Sequence, residues 1–163
     1  MSAIDEALAM WDVIRKGTIS EVENVAEEHW DFRAGDGART FGEVARHILD
    51  AASAFASELL RDDTSFARVT SPEARQQAEE QYPGATKAEV IAQLRAQIAA
   101  DSQRLRDASL DSKTMQSRGG SQSKLTGLWF AIAHEMYHRG QLATYERAIG
   151  VVPAMTQQMQ KRK

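Results

Sequence analysis

Two histidines stand four residues apart in the stretch His134-Glu135-Met136-Tyr137-His138-Arg139-Gly140-Gln141. On an α-helix such a pair is offset by only about 40° and lies roughly 6 Å apart along the axis, so both imidazoles can converge on one ion. Metal ligation is the chemistry this spacing offers. A catalytic zinc-type centre takes three protein donors and keeps a further position open for water or substrate, so a third donor is needed. The remaining histidines are His29 and His47. His47 lies beside Val44 and Ala51 in an apolar helical segment, with Ala51 and Ala54 leaving room around its ring. Burying three imidazoles without partners would cost on the order of several kcal/mol, whereas a shared cation satisfies one nitrogen on each. Spacing alone equally fits hydrogen-bonded histidines at the edge of a core. His29, beside Trp30 in a connection, reads as a surface or packing residue.

Four long helices are expected to position these groups. Ile4, Leu8, Trp11, Ile14, Val22 and Val25 recur at helical spacing behind Ser2 and Asp5, with Gly17 weakening the middle. Thr40-Phe41-Gly42-Glu43 forms a capping box for a second helix whose apolar stripe is Phe41, Val44, Ile48, Phe55 and Leu59. Thr86-Lys87-Ala88-Glu89 opens a third, with Ile91, Leu94, Ile98 and Leu105 facing the core. The last runs from about Lys124 to Ile149, with Gly150 as its C-terminal cap and Pro153 beyond. Between them, Ser71-Pro72-Glu73 starts a short helix that Tyr82-Pro83-Gly84 stops, and the connection from Ser109 to Ser123, with Gly119-Gly120, is expected to be mobile. No segment alternates apolar and polar residues convincingly enough to predict a strand. The predicted fold is an all-α four-helix bundle with long connections. Its single domain spans 1–153, followed by a polar, solvated or fraying tail over 154–163.

Composition narrows the function classes. A chain of 163 residues with 42% hydrophobic and 26% charged residues is an ordinary globular domain. The net charge of −3 provides no basic field for nucleic acid. An acidic start, Met1-Ser2-Ala3-Ile4-Asp5-Glu6, lacks the pattern of a signal peptide, and the longest apolar run, Gly127 to Ala133, is far below the roughly 20 residues that span a bilayer, so a soluble cytoplasmic protein without membrane contact is expected. With no cysteine, there is no disulfide, no thiolate ligand and no cysteine nucleophile. A nucleophile must be another side chain, a metal-bound water or a thiol brought in by a substrate.

Two familiar motifs fit the histidine stretch incompletely. His134-Glu135-Met136-Tyr137-His138 matches the zincin protease pattern, in which the glutamate is general base, but Gln141 and Thr144 occupy the places where a metzincin needs glycine and histidine. The other zincin type needs a glutamate from a later helix, and only Glu146 follows, on the same helix. Glu135-Met136-Tyr137-His138 also matches one half of a ferritin-like di-iron site, but no second copy exists, since Glu43 and His47 are four apart.

A third pattern accounts for nearly the whole chain. Thr40-Phe41-Gly42-Glu43-Val44-Ala45-Arg46-His47-Ile48-Leu49-Asp50, followed by His134-Glu135-Met136-Tyr137-His138-Arg139-Gly140-Gln141-Leu142, resembles the DinB family of DinB/YfiT-like four-helix metalloenzymes; Trp30-Asp31-Phe32-Arg33 and its glycine-rich turn fit more weakly. The resemblance implies a bundle, often a homodimer, with His47, His134 and His138 as ligands of a divalent metal ion, zinc or nickel first among candidates. It implies a small-molecule substrate, with a low-molecular-weight thiol as one option, and either hydrolase or thiol-dependent transferase activity; a non-catalytic metal-binding or dimeric stress-response role is the alternative. No catalytic residue is named by the motifs. Glu135 is a candidate proton acceptor, though pointing about 100° from His134 it also fits a solvated residue or a partner of Arg139. Asp50 fits an acceptor for an imidazole N–H, and Gln141 and Tyr145 fit substrate orientation or packing.

Overall fold

The computed structural model describes residues 2–81, 84–110, 113–117 and 120–161. Four long helices dominate: α1 (Ala3–Asn24), α2 (Phe41–Leu60), α5 (Lys87–Asp107) and α6 (Lys124–Ala148). Short helices α3 (Phe66–Val69) and α4 (Pro72–Gln81) lie between α2 and α5, strands β1 (Thr114–Ser117) and β2 (Gly120–Ser123) precede α6, and α7 (Ala154–Gln160) follows it.

The helix starts are built as the side chains dictate. Ser2 with Asp5, Thr40 with Glu43 and Thr86 with Glu89 each form a reciprocal capping box, satisfying two backbone donors that a helix leaves without partners. Ser123 caps α6 by accepting from the Thr126 backbone N–H at 3.2 Å. Gly150 adopts φ 78° directly after that helix, the left-handed conformation that ends a helix at least cost in glycine. Gly17 has a packing reason in α1. A Cβ there would overlap the Arg139 guanidinium, which lies across it toward Glu21.

α1 packs against α5 and α6, and α2 packs against the same two helices. The first and second long helices therefore stand diagonally across the bundle, and α2 and α6 are lateral neighbours. One apolar cluster gathers Trp11, Ile14, Leu59, Leu105, Leu128 and Ile132; the other gathers Phe41, Val44, Ile48, Leu94 and Leu142. Each fully buried residue of this kind contributes about 1.5–3 kcal/mol through water exclusion. The side chains exposed toward solvent on α6 include Trp129, Met136 and Tyr137.

Two expectations are corrected. The connection expected to be strand-free contains an antiparallel hairpin, with Thr114 opposite Ser123 and Met115 opposite Gln122. Ser65 bridges to Gln116, so the hairpin also binds the chain leaving α2. Polar four-residue strands carry no apolar alternation; backbone pairing and the buried anchor Met115 define them. The expected fraying tail forms α7, which packs on α1 with Ala154 buried. Glu21 makes the difference, because its buried carboxylate accepts from the Ala154 backbone N–H at 2.6 Å and from that of Met155 at 3.3 Å. Such long-range capping leaves no mark in the tail's own sequence. Tyr82, Pro83 and Gly119, expected to act as breakers, lie outside the described residues, apart from which Gly84 and Gly120 show positive φ.

Candidate metal centre

α6 places His134 and His138 one turn apart on the side facing α2, and α2 carries His47 to the same point. The ring centroids are 4.5 Å apart for His134–His138 and His47–His138, and 5.2 Å for His47–His134. One ring nitrogen from each residue lies within 4.8 Å of the others, an arrangement that could hold a metal ion. His138 is buried and the other two are half-buried.

Hydrogen bonding sets the ring states. Gln141 Oε1 lies 2.7 Å from His138 Nδ1. With the amide oxygen as acceptor, Nδ1 is assigned the proton and Nε2 presents its lone pair. That Nε2 faces His134 Nε2 at 3.2 Å. Two ring nitrogens this close would be joined by a shared cation bound by both. The donor set thus fits a divalent cation, with Gln141 as the outer partner that orients a ligating ring.

Electrostatics favours the ligand form of the rings. Burial, together with His138 and the Arg39 guanidinium, pushes the His134 imidazole down to about 4. His138 is also held below its ordinary value by burial and then Arg39, with the Gln141 hydrogen bond opposing. Neutral imidazole is the form that binds metals.

The cluster opens on a cavity of about 770 Å³ whose lining includes Asp50, Phe55, Phe130 and three arginines, Arg33, Arg39 and Arg46. Phe55 stacks edge-on against His134 at 5.5 Å.

The DinB family model matches residues 1–163. This chain belongs to the DinB family. Three DinB-like structures share its fold. YjoA, a DinB-like protein of Bacillus subtilis, is 18% identical with TM-score 0.66, covering 89% of this chain and 92% of its own. A protein of Exiguobacterium sibiricum assigned to the DinB family is 21% identical with TM-score 0.66, over 92% and 93% of the two chains. YfiT of Bacillus subtilis, described as a probable metal-dependent hydrolase with an unusual four-helix bundle topology, is 15% identical with TM-score 0.67, over 91% and 88%. None of the functionally curated proteins matches this sequence significantly.

The other candidates of this DinB-family chain separate sharply. Glu135 is not solvated, and it does not pair with Arg139. It is buried on the α1 side of α6, where Arg15 donates to both carboxylate oxygens at 2.8 and 2.9 Å, Trp11 Nε1 donates at 2.8 Å and Thr18 Oγ1 at 3.0 Å. The rotation of 100° per residue carries it away from the histidines. Arg139 pairs instead with Glu21 at 3.4 Å. Asp50 is buried and lines the cavity. Tyr145 is committed to packing and backbone support: its hydroxyl donates to the Arg39 carbonyl at 2.9 Å and its ring meets Phe32 edge-on. His29 lies half-exposed beside Glu28. The arginine lining and the phenylalanines were not legible as site residues, since their residue types and spacing carry no ligand pattern. For Gln141 the signal was its place three residues after His138, one turn along the same face.

Proposed function

We propose that this DinB-family chain is a metal-dependent enzyme acting on a small molecule, with His47, His134 and His138 holding one divalent cation, zinc or nickel before others. The observation that carries the reading is the convergence of three ring nitrogens within 4.8 Å at the wall of a large cavity. Three protein donors beside an open space is the pattern of catalytic rather than structural centres. A divalent ion supplies Lewis acidity there. Gln141 keeps the His138 lone pair directed inward. Asp50, buried in the cavity lining one turn beyond His47, is the carboxylate we assign to accept a proton or an imidazole N–H there.

Hydrolysis is the first reaction class, in keeping with the description of YfiT. Transfer involving a low-molecular-weight thiol is the second, supported by the absence of cysteine in the chain, which leaves a sulfur nucleophile to the substrate. The two separate on whether turnover of an activated ester by the zinc-loaded chain requires added thiol. Among the described residues no helix is long and apolar enough to cross a membrane. A cytoplasmic homodimer that binds no nucleic acid completes the proposal.

Elemental analysis of the purified chain beside His47→Ala tests the centre. One ion per wild-type chain and near-complete loss in the variant are expected. Full occupancy in the variant would remove His47 from the ligand set and the catalytic proposal with it.

A further inference from the structure

The cavity is electrically unlike the rest of the molecule. The chain carries a net charge of −3, yet the cavity lining holds three arginines against two carboxylates, Glu43 and Asp50. A bound divalent cation would raise the local positive charge further. Two of the arginines are engaged: Arg33 pairs with Glu43 at 3.3 Å, and Arg46 donates to the Ala85 carbonyl at 3.0 Å while lying over the Trp30 ring. Arg39 makes no ion pair among the described residues.

Arg39 is also held in place by its backbone. It sits on a loop closed at its base by the Arg33–Thr40 bridge and by the Phe41 N–H donating to the Phe32 carbonyl at 2.9 Å. From α6, the Tyr145 hydroxyl donates to the Arg39 carbonyl at 2.9 Å. Its side chain lines the same cavity as His47, His134 and His138. The neighbouring wall is apolar, with Ala51, Ala54, Phe55 and Phe130.

Resting on the reading of this cavity as the substrate site, we propose that Arg39 binds an anionic group of the substrate, a carboxylate or a group of like charge, while an apolar body lies against Phe55 and Phe130. Arg39 is exposed where it lines the cavity; its guanidinium presents a planar pair of donors matched to such a group, and a charge-assisted hydrogen bond is about twice as strong as a neutral one. The reacting end of the molecule then reaches the histidine cluster. Arg39 thereby selects amphipathic acids over their neutral analogues.

The test uses the full chain, both zinc-saturated and treated with chelator, titrated calorimetrically with 3-phenylpropionate and with 3-phenylpropionamide, which has the same shape without the charge. In both states the acid is expected to bind about 2- to 10-fold more tightly than the amide. Arg39→Gln is expected to abolish that difference while leaving amide binding and zinc content unchanged, and Arg39→Lys to restore part of it. Equal binding of acid and amide, no binding of the acid at millimolar concentration, or a preference that survives in Arg39→Gln would each overturn the proposal. So would a preference seen only in the zinc-loaded chain and indifferent to Arg39, since the carboxylate would then sit on the ion. A chain that takes up no zinc yet shows the Arg39-dependent preference would defeat the metal reading and leave the Arg39 assignment standing.

Discussion

His134 and Glu135 are consecutive, yet α6 delivers them to two polar regions of opposite character. Toward α1, Glu135 meets Arg15, Trp11 and Thr18 in a buried network in which both carboxylate oxygens are bonded. Toward α2, His134 and His138 converge with His47 at a cavity, their ring nitrogens directed at one another. The first region is complete within the protein, and the second opens on a cavity. A buried acid in a helical metal motif is therefore not a catalytic base by position alone; the surrounding donors decide whether its lone pairs remain available. The α1 side contains a further contrast. There Glu135 is neutralised by an arginine, whereas Glu146 is buried beside a second carboxyl, Glu21.

Breaking the closed region should have the largest effect. Glu135→Gln leaves Arg15 buried without its counter-charge, and denaturant unfolding should show a loss of about 3–5 kcal/mol. Arg15→Met combined with Glu135→Leu should recover much of it, because no charge then remains stranded. A double variant as unstable as the worse single one would mean that the hydrogen-bonded shape, not charge balance, dominates.

Glu146 predicts a pH effect of up to about 1.4 kcal/mol per pH unit. Burial, with Glu21 close by, pushes its carboxyl up to about 8, while an Asn24 hydrogen bond opposes. The folded state therefore binds more protons than the unfolded chain between the ordinary carboxylate value of 4.5 and about 8, and stability falls as pH rises through that window. Glu146→Gln, which imitates the protonated acid, should flatten the slope in melts recorded from pH 5 to 8. An unchanged slope would assign the proton to another group.

The open region should respond to metal instead. Free zinc at 100 times its dissociation constant should stabilise the wild type by about 2.7 kcal/mol, read as a rise in Tm, and His47→Ala should lose this gain while its chelated form stays folded. Gln141→Leu tests the outer partner: it should weaken zinc binding about 10- to 100-fold in competition with a chromogenic chelator, and Gln141→Glu, which keeps the accepting oxygen, should not. Smallest of all should be Asp12→Asn. Its exposed pair with Lys16, one residue along α1 from Arg15, is expected to contribute less than about 0.5 kcal/mol.

Much of this architecture was legible before the coordinates. The three capping boxes began their helices at Ser2, Thr40 and Thr86, and Gly150 ended α6, because capping and left-handed termination involve residues within a few positions of one another. The family resemblance and the all-α bundle were readable from the two histidine-bearing stretches. The hairpin was hidden, as its polar strands are held by backbone pairing that side-chain types do not encode. α7 was hidden because the carboxylate that caps it, Glu21, lies 133 residues away in the chain.

The amino-acid sequence by itself determined where the four long helices begin and that His134 and His138 must share a face, since both follow from rotation per residue and local hydrogen bonding. Only the tertiary structure decided that α2 and α6 are neighbours, bringing His47 to the pair, that Glu135 is sealed by Arg15, and that Arg39 lines the same cavity as the histidines. Those outcomes depend on which helix faces pack together, and packing joins residues whose separation along the chain carries no local signal.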